Sequence, residues 1–144
     1  MNVLLMLAIG CVPYDVLDQG EDGGSEDPDP TDCTGDGRDC CHTLAAELAR
    51  SEDEADALLA RSLPDAALPD LFDVDWTERS VVAVYPAGAC PNTGFRLHVG
   101  RVTAHDETLV VHGSVSGGRR GNETESRPYE VLLVHWTGAA VEAR

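Results

Sequence analysis

The most restrictive feature of this sequence is a run of acidic residues in its early part. Ten Asp and Glu side chains lie between Asp15 and Asp39, where Arg38 is the only basic residue. A segment this charged, with few apolar residues, cannot bury enough surface to offset the entropy lost on ordering. We therefore expect a disordered acidic linker over residues 11–39 and a folded domain over residues 40–144.

The overall charge and composition exclude some functions. The formal net charge of the chain is -16 and its isoelectric point is about 4.4, so it should repel a phosphate backbone, and we expect no nucleic-acid partner. All ten basic residues are arginine. Without lysine, the chain has neither the lysine of a phosphate-binding loop nor a Schiff-base nucleophile.

A short apolar run precedes Cys11. Residues 3–9 are too few to span a bilayer, which needs about 20 residues, but a run of this length is typical of a signal peptide. The run ends in Ala8-Ile9-Gly10-Cys11, which resembles the lipobox of bacterial lipoproteins. The resemblance implies that residues 1–10 are a signal peptide, and that lipidated Cys11 anchors the protein outside the cytoplasm, at the periplasmic face or the cell surface. The alternative is a disordered N-terminus with an incidental cysteine.

Lipidation of Cys11 would leave four cysteines, and an even number in an exported protein predicts two disulfides. The four candidates are Cys33, Cys40, Cys41 and Cys90. A bridge between neighbouring residues is strained, so we expect either Cys40 or Cys41 to bond Cys90 and the other to bond Cys33. A zinc site that uses these residues and His42 is the alternative, but the run at 40–42 lacks the usual ligand spacing, and we expect no metal.

Residues 42–62 have the apolar spacing of a helix. The repeating apolar positions are Leu44, Leu48, Ala55, Leu58 and Leu59. Their gaps of three, four and seven residues predict one helix, or two short helices that meet near Ser51. Ser51 is followed three residues later by Glu54, which is the pattern of a capping box.

From residue 75 onward the pattern is that of strands. Residues 80–85 form a continuous run with β-branched side chains, which predicts a central strand. Phe95, Leu97 and Val99 alternate with polar residues, as in a strand with one buried face. The phase of this alternation shifts after Gly100, which predicts a β-bulge there.

Further strands follow toward the C-terminus. Residues 105–107 predict a hairpin turn into a strand over 108–116, and residues 129–136 predict another buried strand. Residues 139–143 predict a short edge strand. The expected fold class is α+β, with an N-terminal helix or helix pair packed on an antiparallel β-sheet of 4–5 strands, preceded by the disordered acidic tether.

Four short motifs occur in order between residues 63 and 136. They cover residues 72–76, 81–85, 91–95 and 127–129. In that order and spacing they resemble the C-terminal domain of the PrcB protease-complex subunit family. The resemblance implies a non-catalytic accessory module of an exported lipoprotein, which binds and stabilises a secreted protease.

A second resemblance concerns chagasin-like inhibitors of cysteine peptidases, which bind through three loops. Residues 90–95, 117–121 and 127–129 occur in the order of those loops. Only about ten residues separate the second and third segments, which is too few for a hairpin of ordinary strands. Peptidase inhibition is therefore the second hypothesis, and a purely structural envelope lipoprotein is the third.

The sequence contains no G-x-S-x-G or H-E-x-x-H motif, so we expect no enzymatic activity and no cofactor. His98 and His112 are expected across the hairpin from each other. The expected partner is a protein, contacted through the turn at 91–95, the loop at 117–126 and the segment at 127–129. The candidate contact residues are Pro91, Asn92, Thr93, Gly94, Phe95, Arg119, Arg120, Arg127, Pro128 and Tyr129.

Overall fold

The computed structural model describes residues 11–22, 41–64, 66, 74–88, 90, 94–117 and 126–144. Within these residues the elements follow one another along the chain in a simple order. They are β1 (Tyr14–Asp22), β2 (Leu44–Ala49), α1 (Glu52–Ser62), β3 (Ser80–Pro86), β4 (Phe95–His105), β5 (Thr108–Gly117), β6 (Arg127–Val134) and β7 (Ala140–Ala143).

The strands form two sheets that pack face to face. The first sheet has the order β1-β6-β3-β2, and each neighbouring pair is antiparallel. The second has the order β4-β5-β7, with β4 antiparallel and β7 parallel to β5. Inward side chains of β3 and β6 meet those of β4 and β5 in the main core.

Helix α1 covers the outer face of the first sheet. Val82 and Val84 of β3 point into the main core, whereas Val81 and Ala83 pack with Leu58 and other residues of the helix in a second core. Strand β6 is buried along its whole length for the same reason. The Ser51 side chain accepts a hydrogen bond from the Glu54 N–H at 3.1 Å and caps the helix, as the sequence predicts.

The predicted fold class is wrong. The chain does not place an N-terminal helix or helix pair on a single antiparallel sheet of 4–5 strands; it forms two sheets and one short helix within the described residues. The first half of the predicted helical region is β2, which pairs with β3 from Leu44 opposite Pro86 to Ala49 opposite Val81. Helix propensity is a weak preference, and here the open edge of β3 supplies hydrogen bonds that override it.

The predicted disordered linker is wrong for its first part. Residues 14–22 form β1, which lies along the edge of β6 despite its acidic side chains. An edge strand needs little apolar surface, because its partner strand supplies the hydrogen bonds and only one of its faces must be buried. Val12 is 8 % exposed and belongs to the main core. The rest of the predicted linker, residues 23–40, lies outside the described residues.

The predicted hairpin of β4 and β5 is confirmed. It turns at Asp106, whose φ of 54° is in the left-handed region. The predicted bulge is present as well, because the register shifts between Val99 and Arg101. The short edge strand near the C-terminus is β7, which contacts β5.

Candidate functional site

Cys11 lies at the surface, where the described fold begins. Its thiol is free and exposed, and its backbone forms an isolated bridge with Thr103 of β4. The next residue is already fixed, since the Val12 N–H donates to the Val102 carbonyl at 2.7 Å. Cys11 is therefore held against β4 on one side of the chain while its thiol stays at the surface.

Cys41 and Cys90 form a disulfide with their Cα atoms 4.7 Å apart. This confirms one of the two pairings that the sequence allowed for Cys90. Both residues are buried, and the backbone of Cys90 exchanges two hydrogen bonds with Ser126, of 2.6 and 2.9 Å. Cys33 and Cys40, the other predicted pair, lie outside the described residues.

The described flanks of the three predicted contact segments meet at one end of the β-sandwich. Phe95, at the start of β4, pairs with Gly117, at the end of β5. Ser126, which bridges Cys90, leads directly into Arg127 at the start of β6. The turn at 91–95, the loop at 117–126 and the segment at 127–129 therefore start or end beside one another. Among the predicted contact residues, Pro91, Asn92, Thr93, Arg119 and Arg120 lie outside the described residues.

The large described side chains of this set point into the protein. Phe95, Arg127, Pro128 and Tyr129 are all buried. The Tyr129 hydroxyl donates to Asp18 Oδ2 at 2.8 Å, and the Arg127 guanidinium lies 5.3 Å from the centre of the Tyr85 ring. Burial favours a structural role for these four side chains.

A cleft of about 440 Å³ opens at the same end, between β1 and β4. It is lined by Gln19, Gly20, Glu21, Phe95, Arg96, Leu97 and Tyr129. Glu21 ties the two strands together, because its Oε1 accepts a hydrogen bond from the Gly94 N–H at 2.7 Å. Sequence reasoning missed this cleft, since three of its seven lining residues come from a strand that the acidic composition assigned to a linker.

A cluster of polar side chains joins β2, β3 and α1 behind the first sheet. Glu47 accepts hydrogen bonds from the Tyr85 hydroxyl at 2.7 Å, from Arg61 Nη2 at 2.9 Å and from the Ser62 hydroxyl. Burial opposes ionisation of Glu47, but the hydrogen bonds from Ser62, Tyr85 and Arg61 and the charge of Arg61 outweigh it and lower the pKa. Burial raises the pKa of Tyr85 to about 12. The carboxylate is thus occupied as an acceptor, and the arrangement is that of a structural network.

His98 and His112 do not lie opposite each other. The bulge pairs His98 with Ser114 and Arg101 with His112. Burial lowers the pKa of His112, and the nearby charges of Arg101, Arg144 and His105 lower it further. Among the described residues, no group of three or more His, Cys, Asp and Glu side chains is placed to hold a metal ion.

No helix in the described part of the chain is both long enough and apolar enough to cross a membrane. The chain matches no family model, no curated protein and no solved structure. The resemblances to lipoproteins, to the PrcB family and to chagasin-like inhibitors therefore stay predictions.

Proposed function

We propose that this protein is a non-enzymatic exported lipoprotein that is anchored through Cys11 and presents the opposite end of its β-sandwich to a protein partner. The observation that carries the proposal is the position of the two sites along β4. Cys11 bridges Thr103, whereas the contact segments meet at Phe95. Eight residues of strand separate these positions, which corresponds to about 25 Å. A domain held at Cys11 therefore keeps the other end accessible.

The disulfide supports the export step of the proposal. Cys41 and Cys90 are bonded inside the core, and such bonds persist in oxidising compartments rather than in the cytosol. Cys11 is spared from this pairing and is exposed, which is what a lipid-modified residue requires.

The finer part of the proposal concerns the partner. Residues 91–95 and 127–129 carry the resemblance to the PrcB family, and their described parts lie beside the cleft. A secreted protease that is bound and stabilised is the partner that this resemblance suggests. The described flanks of the three segments lie close together, which also suits the second hypothesis, peptidase inhibition, in which three loops would contact a peptidase together.

The anchor is tested on protein extracted from the cell envelope. Mass spectrometry gives its intact mass, and detergent phase separation shows whether it enters the detergent phase. We expect the wild-type chain to lack residues 1–10, to carry diacylglycerol on Cys11 and to enter the detergent phase. The Cys11→Ser variant should stay in the aqueous phase, whereas the Cys33→Ser variant should behave as the wild type. Recovery of a wild-type chain that retains residues 1–10 with an unmodified Cys11 would contradict the anchor.

The contact end is tested by site-specific photocrosslinking in the intact envelope. A photoreactive residue at Arg96, which is exposed beside the cleft, should yield an adduct, and one at Asp56 on the exposed side of α1 should not. A captured peptidase that stays active supports an accessory role, and one that loses activity supports inhibition. Absence of an adduct from Arg96, or equal adducts from both positions, would rule out this end as the contact surface.

A further inference from the structure

The outer face of the second sheet is rich in basic side chains, although the chain as a whole is acidic. Side chains alternate between the two faces of a strand, so residues of β4, β5 and β7 that do not pack in the main core point outward. The basic residues at outward positions are Arg96, His98, Arg101, His105, His112 and Arg144. Glu142 of β7 is an acidic residue on this face, and Asp106 and Glu107 lie at the hairpin turn. The first turn of α1, by contrast, carries three acidic residues.

The bulge at Gly100 turns Arg101 onto this face. Before the bulge the exposed positions of β4 are even-numbered, as at His98, and after it the buried positions are even-numbered instead. Without the extra residue, Arg101 would point between the two sheets. Bulges commonly redirect a side chain in this way. Here the redirected side chain lies opposite His112 of β5.

Arg144 lies on the other side of His112. Its N–H donates to the Val111 carbonyl at 2.8 Å, and its carbonyl accepts from the Gly113 N–H at 3.0 Å. These bonds to the two neighbours of His112 place Arg144 directly beside it. Neighbouring strands are about 4.8 Å apart. Arg101, His112 and Arg144 therefore form one line of basic side chains across three strands, which we call the basic row.

The basic row has the chemistry of a phosphate site. Arginine guanidinium groups form paired hydrogen bonds with phosphate oxygens, and both arginines of the row are exposed. Arg144 also donates to Glu142 at 2.8 Å, but this pair is exposed and so contributes little that a ligand would have to replace. Burial lowers the pKa of His112, and the charges of Arg101, Arg144 and His105 lower it further, which shows that positive charge converges on this position.

Cys11 lies on the same face as the basic row. It pairs with Thr103 in an antiparallel bridge, and residues directly opposite each other in such a pair have their side chains on one face of the sheet. The next residue, Val12, points the other way, into the main core. Thr103 Oγ1 lies 3.1 Å from His112 Nε2. Thr103 thus lies between the exposed Cys11 thiol and the basic row.

We propose that the basic row binds the phosphate of an anionic phospholipid headgroup in the membrane that holds the Cys11 anchor. This inference rests on the proposed function, because the lipid on Cys11 keeps the row at the membrane surface. A lipid chain and a basic patch act together in stable membrane binding. Arg96, at the contact end, is five residues of β4 away from Arg101, or about 16 Å, so that end stays clear of the headgroup.

The net charge of -16 does not prevent this contact. The acidic first turn of α1 belongs to the layer behind the first sheet, and the two sheets alone are about 10 Å apart. Asp106 and Glu107 are each five residues of strand from the row, or about 16 Å. At physiological ionic strength, charges separated by more than about 8 Å are largely screened. A phosphate at the row therefore meets the arginines first.

The test follows the His112 imidazole by NMR in the full-length Cys11→Ser chain, so that the row binds without a lipid on this residue. Short-chain phosphatidylglycerol, below its micelle concentration, should shift the His112 signals and raise the pKa of His112, because a bound anion favours the imidazolium. His42, which lies beside Phe95 at the contact end, should not respond. No response of His112, or an equal response of both histidines, would overturn the inference.

Two further ligands identify the source of the phosphate. Phosphatidylcholine of the same chain length, whose headgroup has no net charge, should bind at least about ten times more weakly. Inorganic phosphate should also bind more weakly than phosphatidylglycerol. If phosphatidylcholine binds as tightly, the row does not select anionic lipids, and if inorganic phosphate does, the row is a site for the free ion. Either result would overturn the membrane assignment.

Variants then test the row at a membrane surface. On vesicles of equal parts phosphatidylglycerol and phosphatidylcholine, Arg101→Gln should weaken binding of the Cys11→Ser chain about five-fold, the loss expected for one arginine at an anionic surface. Arg50→Gln is the matched control, because Arg50 is exposed after β2 and its loss changes the net charge equally. Urea unfolding confirms that both variants fold. Equal weakening by the two substitutions would mean that overall charge, and not the row, controls binding.

The two proposals fail separately. If the native chain carries a lipid on Cys11 but phosphatidylglycerol leaves His112 unchanged, the anchor stands and the headgroup site falls. If His112 responds to phosphatidylglycerol but the native chain carries no lipid, the anchor falls and the basic row stands as a site for anionic lipid.

Discussion

The Glu130 carboxylate of β6 accepts a hydrogen bond from the Val99 N–H of β4 at 3.0 Å, so a side chain of one sheet completes the edge of the other. The bond lies between the two sheets, and Glu130 is only 4 % exposed. Together with the Tyr14 hydroxyl, which donates to the Val99 carbonyl, it fixes the strand just before its bulge. The two sheets are thus joined by specific polar contacts as well as by apolar packing.

Replacement of Glu130 with Gln should make stability depend less on pH. Burial raises the pKa of Glu130, although the hydrogen bond from Val99 and the charge of His98 lower it in part. A raised pKa in the folded state means that the protonated carboxyl favours folding and that this contribution is lost as the pH rises through the folded-state value. We therefore expect Glu130→Gln to be at least as stable as wild type at pH 7, and to lose that advantage at pH 4.

The measurement is urea unfolding of both proteins at the two pH values, with Glu78→Gln, at an exposed glutamate outside the helix, as a matched control. A stability difference that is the same at pH 7 and pH 4 would contradict the expectation.

Glu130→Leu, which leaves the Val99 N–H without an acceptor, should lower the free energy of unfolding by about 1–3 kcal/mol.

Removal of the disulfide should destabilise the fold strongly. Cys41 and Cys90 close a loop with a sequence separation of 49 residues. The chain-entropy argument gives a loss of about 4 kcal/mol for a loop of this length. The double variant Cys41→Ala/Cys90→Ala should show this loss in urea unfolding, whereas Cys11→Ser should unfold as the wild type does. A loss below about 1 kcal/mol would mean that the bond adds little constraint to the unfolded chain.

The strands that the sequence predicted correctly are those whose own side chains carry the pattern. Strand β4 was predicted from the alternation of Phe95, Leu97 and Val99, because each inward residue packs on the facing sheet. Its bulge was predicted from the shift of this alternation at Gly100. The continuous run at 80–85 gave β3, which is buried on both faces. The Ser51 cap gave the start of α1, since capping depends on residues within one turn.

The strands that the sequence did not predict depend on their neighbours. Residues 44–49 have a helical composition and become β2 only through pairing with β3. Residues 14–22 have the composition of a linker and become β1 only because β6 offers an open edge. The cleft was missed for the same reason: it needs Glu21 and Gln19 beside Leu97, a proximity that local patterns do not encode. The sequence limited the expected partner of Cys90 to Cys40 or Cys41, because four cysteines predict two disulfides and a bridge between adjacent cysteines is strained. The structure shows that the partner is Cys41.

Two valines test whether the first described segment belongs to the fold. Val12 is 8 % exposed in the main core, whereas Val16 is 47 % exposed. We expect Val12→Ser to lower the free energy of unfolding by about 2 kcal/mol, because it removes buried apolar surface and places a hydroxyl there. Val16→Ser should change it by less than about 0.5 kcal/mol. If residues 11–22 were a linker, both variants would unfold as the wild type in urea.

Two glycines of the β4–β5 hairpin should respond oppositely to alanine. A Cβ at Gly113 would come within 2.9 Å of the His98 carbonyl oxygen and 3.2 Å of the Leu44 side chain, and the backbone atom cannot move without disturbing β4. We expect Gly113→Ala to cost about 1–3 kcal/mol in urea unfolding, as overpacking does. A Cβ at Gly100 would meet only the His112 carbonyl oxygen, at 3.8 Å.

Gly100→Ala should therefore be neutral or stabilising by up to about 1 kcal/mol, because alanine restricts the unfolded chain and the bulge leaves room for its methyl group. The comparison isolates the crowding around Gly113, because both substitutions add one methyl group to the same hairpin. Loss of stability in Gly100→Ala equal to that in Gly113→Ala would mean that the bulge is as crowded as the interface beside β2.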